Sequence, residues 1–260
     1  MNHCQDASAP VERRTRPVAL SGRLQAISGL AGTGGTVCDV GCDHAHIPIR
    51  LLQEKRFSRA IGMDVIEGPL EKAAGNLRLY GMEDRVELRL SDGLDAFHAG
   101  EADTLIVAGM GGSMIEEILL REPEKTKSFQ AMVLGPQSDP DKVRRALRTL
   151  GFVIMEERFL FEDGKYYAIL RACRDSGKDS GGPDNKAKDE CGRDNRTKGG
   201  SVPDGRAKDG CGKDCGEDKP GKGTCGTDCG DDIRLAAEDL FGPVLLRRQD
   251  PVRHEYLIRQ

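Results

Sequence analysis

Two periodicities alternate along the chain from Leu20 to Leu170. Short, mostly apolar runs rich in Val and Ile are followed by longer stretches in which apolar positions recur every three or four residues. Gly35–Val40 (GTVCDV) reads as a first strand and His46–Lys55 as the helix after it. Arg59–Val65 is a second strand, followed by a helix over Gly68–Met82 that Gly81 closes. Arg85–Gly93 is a third strand. Asp103–Gly112 is a fourth and enters a helix over Ser113–Glu122. Gln130–Gln137 is a fifth, followed by a helix over Asp139–Gly151 with Asp139 or Asp141 near its N-terminus. Phe152–Glu162 and Gly164–Ala172 are β-rich runs split by Asp163-Gly164, a hairpin signal. This order predicts an α/β domain: a mostly parallel, seven-stranded sheet with helices on both faces and a C-terminal antiparallel hairpin.

Elsewhere the pattern fails. Residues 1–17 read as a flexible N-terminus, and the folded domain is expected over 18–172. Residues 173–232 are low in complexity, with an imperfect repeat: PDNKAKDECGRD from Pro183 and PDGRAKDGCGKD from Pro203. Their apolar content is too small to offset the entropy of ordering, so disorder is the expectation. Cys211, Cys215, Cys225 and Cys229 form C-x3-C-x9-C-x3-C, a set that four thiolates around zinc would need. The spacing arises inside the repeat without surrounding apolar residues, so no metal is expected. Residues 233–260 recover amphipathic character and read as the start of a further element.

Composition bounds the partners. Hydrophobic residues make up 37% of the chain, and 39 basic against 43 acidic residues leave a net charge of −4. No apolar run reaches the ~18 residues of a membrane span, and the first 17 residues have no apolar core for a secretory signal. The cytoplasm is the default expectation. No block is a basic tail, so a nucleic acid would meet a local patch: Arg13, Arg14, Arg16 and Arg23, or Lys142, Arg144, Arg145 and Arg148 on one helix. A solvated helix face explains the second group equally well.

The candidate chemistry lies at strand ends. The first strand finishes in Asp39-Val40-Gly41, where a glycine lets a ligand approach the backbone. A carboxylate there repels phosphate and suits an ammonium group, which S-adenosylmethionine carries and a nicotinamide dinucleotide does not. Asp64 ends the second strand and can accept from two ribose hydroxyls. Asp92, beside Gly93, ends the third and can accept from an adenine amino group. One such acid is a common surface or capping residue; three at successive strand ends point to a nucleoside-type ligand. Gly109, Met110, Gly111 and Gly112 follow the fourth strand and leave room for an acceptor base, or form a tight turn. Cys38 and Cys42 read as packing residues. Tyr166 and Tyr167 read as strand residues, with stacking on a base as the alternative.

The motifs LSGRL (Leu20–Leu24), CDVGCDHAHIP, GMDVIEGPLEKA, SDGL, IVAGMGG and EDGKYYAIL occur in one order. In this the chain resembles the bacterial TrmK family of tRNA adenine-N1 methyltransferases, which act at tRNA position 22. The resemblance covers about residues 18–172 and resumes at FGPVLLRRQDPV. It implies a class I methyltransferase (Rossmann-like) fold, S-adenosylmethionine as cofactor and tRNA as partner. No membrane association and no obligate protein partner follow, and a monomer is expected. By the same resemblance Asp39, Gly41, Asp43, Asp64, Asp92, Gly93 and Gly109 bind the cofactor; Asp43 and His44, which lie in that loop, are the candidate catalytic residues on the chemistry of the reaction. Met110, Gly111, Gly112, Gln137 and Arg23 face the substrate. The family often shows L-Q-P-N after the fifth strand, where this chain has Leu134-Gly135-Pro136-Gln137. The family's helical C-terminal domain implies that residues 233–260 are the start of a truncated helical element.

The implied reaction is an in-line displacement. Adenine N1 carries an in-plane lone pair and attacks without losing a proton first, so orientation and electrostatics carry the catalysis. The base becomes cationic, which a nearby carboxylate, Asp43, would stabilise while taking a proton from the N6 amino group. His44 orients Asp43 or caps the turn. Two alternatives stay open at this stage: a class I methyltransferase acting on a small molecule, and a non-catalytic S-adenosylmethionine- or RNA-binding protein.

Overall fold

A computed structural model describes residues 14–174. Most of the expected N-terminal arm, the Cys-rich repeat beyond Arg174 and the C-terminal element over 233–260 lie outside these residues. The described part contains β1 (Gly34–Val40), β2 (Phe57–Asp64), β3 (Val86–Leu90), β4 (Thr104–Ala108), β5 (Ala131–Gly135), β6 (Phe152–Glu162) and β7 (Lys165–Arg174). They form one sheet in the order β3-β2-β1-β4-β5-β7-β6. The first five strands are parallel, and β7 pairs antiparallel with both β5 and β6.

Strand alternation explains how both faces are buried. On β4 and β5, Leu105, Val107, Met132 and Leu134 join one apolar cluster, while Ile106 and Val133 join the other. The first cluster is completed by Phe97, Ile115, Leu119, Phe129, Val143 and Leu147, from the β3–β4 connection, from α4 (Gly112–Arg121) and α6 (Pro140–Thr149), and from the chain between them. The second is completed from α1 (Gly22–Leu30), α2 (His46–Gln53) and α3 (Glu67–Tyr80), through Ile27, Leu30, Ile49, Leu52, Ala73 and Leu77.

Local chemistry sets the ends of the elements. Gly81 closes α3 at φ +63, a conformation glycine adopts without strain. Asp163 and Gly164 both have positive φ, as a two-residue hairpin between Glu162 and Lys165 requires. Pro48 falls in the first turn of α2, where its missing N–H costs nothing. Asp139 sits at the N-cap of α6 with φ +50 and makes no side-chain cap; Asp141 lies in the first turn.

Two helices were not legible in the pattern. α1 has little amphipathic periodicity (GRLQAISGL) and is started by Ser21, whose side chain accepts from Leu24 N. α5 (Pro123–Lys127) is a single short turn with Pro at its start. One expectation needs correcting: Arg144 is not part of a basic surface patch. It is 1% exposed, and its Nε donates to Glu157 Oε1 of β6 at 2.8 Å, so the exposed cations of α6 are Arg145 and Arg148, with Lys142 half-buried.

Candidate cofactor and acceptor site

The order of strands reverses between β1 and β4, and a crevice opens beyond their carboxyl ends, where open α/β sheets bind ligands. A cavity of about 640 Å³ occupies it. Of the expected site residues, Arg23, Asp39, Gly41, Asp43, His44, Asp64, Asp92, Gly93, Gly109, Met110 and Gln137 all line it. Gly111 and Gly112 do not. Gly112 N donates to Ser138 O at 2.8 Å, and a side chain at 112 would run into the Asp139 backbone, so this glycine lets α4 approach the β5–α6 loop.

The loop after β1 is held in an uncommon shape. Gly41, Asp43 and Ala45 all have positive φ, at +74, +49 and +57. Left-handed conformations at two non-glycine residues carry strain that the surroundings must over-determine. They do so from the end of β2. Met63 O accepts from both Gly41 N (2.8 Å) and Cys42 N (3.0 Å), and Asp64 Oδ2 accepts from Asp43 N (3.2 Å). Cys42 packs against Gly62 and Cys38 is fully buried; burial pushes both thiols up, which keeps them protonated packing groups.

Three carboxylates meet here. Asp39 is 4% exposed and accepts no hydrogen bond among the described residues. Burial, and next the negative charge of Asp64, push its pKa up to about 8. Asp64 also accepts from Ile66 N through Oδ1 (3.1 Å), which leaves a lone pair on each oxygen. Asp43 is 68% exposed, with Oδ1 lying 3.3 Å from His44 Nδ1. That nitrogen is buried and has no well-aligned hydrogen-bond partner. A buried carboxylate without a donor is costly and is relieved by a cation, so the residues present fit an ammonium-bearing ligand.

The third strand end adds a polar wall. Asp92 Oδ2 accepts from Arg121 Nη1 at 2.9 Å, and Arg121 Nη2 donates to Glu117 at 3.0 Å. Ser91 Oγ donates to Gly93 O and accepts from Ala96 N, fixing the turn. A Cβ on Gly93, at φ +58, would come within 3.1 Å of Ile118.

On the acceptor side, Gly109 (φ +81) follows β4, and Gln137 N donates to Met110 O at 2.8 Å, coupling the two loops. Arg23 reaches the cavity from α1; its guanidinium carbon lies 4.8 Å from the Tyr167 ring centroid, and its backbone N–H donates to Glu162. One face of Tyr167 is therefore already covered.

Sequence reasoning missed several lining residues. Met114, Glu117, Ile118 and Arg121 bring one face of α4 to the cavity; their i, i+3, i+4, i+7 spacing was the available signal. His46 was also missed. Asn76 Nδ2 donates to His44 O (2.9 Å) and lies 3.4 Å from His46 Nε2, and burial, then nearby His44, lowers the His46 pKa. Nothing local in the sequence links α3 to that loop.

The chain is similar to the tRNA (adenine(22)-N(1))-methyltransferase of Bacillus subtilis (strain 168), with 32% identity over 153 residues, 59% of this chain and 64% of that protein. It thus spans just under two thirds of that relative's length. The crystal structure of the B. subtilis tRNA methyltransferase TrmK matches with 31% identity and a TM-score of 0.58, over 61% of this chain and 68% of that one. TrmK of M. capricolum in complex with S-adenosyl-homocysteine matches with 26% identity and a TM-score of 0.56, over 60% and 69%. The profile of the methyltransferase domain matches residues 20–170, more than half of the chain, and the chain belongs to that family.

Proposed function

We propose that this chain transfers a methyl group from S-adenosylmethionine to N1 of the adenine at tRNA position 22, acting as a monomer in the cytoplasm, with residues 18–172 carrying the chemistry. The observation that carries the reading is the donorless buried carboxylate of Asp39 at the switch point of the sheet, with Asp64 and Asp92 at the next two strand ends. The likeness to the B. subtilis enzyme supports the choice of acceptor.

When bound, S-adenosylmethionine supplies an electrophilic methyl group. Asp39 would hold its ammonium, Asp64 would accept from the ribose hydroxyls with its remaining lone pairs, and Asp92 would accept from the adenine amino group. Gly41 makes room for the Met110 thioether, and Gly109 keeps the backbone bare where it lines the cavity. Gly109, Met110 and Gln137 seat the acceptor base. Asp43 faces the base that becomes cationic, stabilises that charge and takes a proton from N6. Its exposure lets the proton pass to solvent. His44 Nδ1 lies 3.3 Å from Asp43 Oδ1, and in the Nδ1–H tautomer a small turn of the exposed carboxylate would align the two and let His44 orient it. Because N1 is occupied in a Watson–Crick pair, the target base must be unpaired or flipped.

The test is methylation of an unmodified tRNA transcript, read as 1-methyladenosine by nucleoside mass spectrometry. The transcript with adenine at position 22 should give product and one with G there should not. No product on the adenine transcript ends the substrate assignment; turnover of a free metabolite instead would move the acceptor to a small molecule. Asp43→Ala should lower kcat by about 100-fold or more, and an unchanged kcat would remove Asp43 from the chemistry.

A further inference from the structure

A second recess of about 460 Å³ lies beside the first, and Gln137 lines both. Its floor is Phe159 of β6 and Ala168 of β7, both buried. One wall is the β5–α6 loop with Pro136 and Pro140, and the other is the hairpin end with Lys165 and Tyr166. The Tyr166 ring is half-buried, with its centroid 4.8 Å from that of Phe161, so the hairpin holds it in place. Lys165 is exposed at the mouth and forms no ion pair among the described residues.

We infer that this recess binds the nucleotide next to the methylated adenosine on the same RNA strand, its base against Tyr166 and its phosphate near Lys165. This rests on the reading of the chain as an RNA adenine methyltransferase. Three features carry the assignment. Gln137 lines both the recess and the acceptor side of the cofactor cavity, so the two adjoin there, and adjoining nucleotides are tethered by one phosphate. The apolar floor, two prolines and a held aromatic ring suit a flat base, which stacks on aromatic side chains without regard to its identity. The charges are divided: Lys165 stands on the hairpin side, while Asp139 and Asp141 stand on the loop side, the former accepting from Ser138 Oγ and the latter pairing with Arg145. A phosphate is therefore drawn to the hairpin, and the carboxylates face an amino group of the base.

The experiment measures kcat and KM for the tRNA transcript with the full chain at saturating S-adenosylmethionine. Tyr166→Ala should raise KM for tRNA by roughly tenfold with kcat retained, and Tyr166→Phe should stay within about twofold of wild type, because the ring and not the hydroxyl is needed. Lys165→Ala should raise KM and lessen the slope of log KM against log salt by about 0.7, the loss of one phosphate contact on a single strand. The inference is overturned if Tyr166→Ala leaves KM unchanged, if it lowers kcat instead, or if Lys165→Ala leaves the salt slope intact. Wild-type chain that makes no 1-methyladenosine overturns the functional reading and the subsite with it; active wild type with unaffected variants overturns the subsite alone.

Discussion

The terminal methyl of Met110 fills the space where a side chain on residue 41 would begin. The residue is glycine for two reasons at once: its φ of +74 and the thioether packed over it. Gly41→Ala should weaken S-adenosylmethionine binding by roughly tenfold, from about 1–2 kcal/mol of backbone strain plus displacement of Met110. Met110→Ala in the same chain should recover part of that loss, and a cycle of calorimetric Kd values would expose the coupling. Strictly additive variants would mean that the two residues do not share this space.

Asp39 makes the site pH-dependent in a definite direction. Its folded pKa of about 8 stands above the ordinary 3.8, so between these values the folded protein keeps a proton that the unfolded chain has lost. Stability of the ligand-free protein should fall as pH rises from about 4 to 8. Asp39→Asn should flatten that fall and stabilise the ligand-free protein at pH 8 by about 1–3 kcal/mol. An ammonium-bearing ligand favours the ionised carboxylate, so binding at pH 7 should release up to about one proton. Calorimetry in two buffers of different ionisation enthalpy measures this, and an equal proton count in Asp39→Asn would contradict it.

Arg121 should matter to the ligand more than to the fold. Its pairs with Asp92 and Glu117 are solvated, so Arg121→Ala should leave folding stability nearly unchanged. Loss of the Asp92 contact should nonetheless weaken cofactor binding by a few-fold, with Arg121→Lys intermediate. Urea melts and calorimetry on the same samples separate the two effects; a large loss of stability with normal affinity would make Arg121 structural.

Arg144 and Glu157 reverse that balance. Both are 1% exposed, and they tie α6 to β6. Removing either partner leaves a buried charge, so Arg144→Ala or Glu157→Ala should destabilise by about 3–5 kcal/mol. An apolar pair of similar volume, Arg144→Met with Glu157→Leu, should lose far less. Denaturant unfolding checks both statements.

The alternation of periods made five parallel strands, the closing hairpin and most covering helices legible, because both faces of each central strand must be apolar. Gly81 and the Asp163-Gly164 pair were legible for the same kind of local reason: their backbones need positive φ. α1 escaped because a short helix of small residues owes its stability to packing on the sheet and not to its own periodicity. Among site residues, those at strand ends were legible, since the topology carries the carboxyl ends of the five parallel strands to one edge. Arg121, Glu117, His46 and Asn76 were not, because their roles depend on which helix faces lie over that edge.

By itself, then, the sequence determined the kind of sheet, the row of acids at its carboxyl edge and the glycines where the backbone must stay bare. These follow from local propensity and from a period of two. Only the tertiary structure decided that Asp39 is buried without a donor, that Arg144 is an internal ion pair and not a surface cation, and that Gly112 serves helix packing outside the cavity. Each depends on which side chains distant in the chain are brought together, and burial then sets the electrostatics of what they meet.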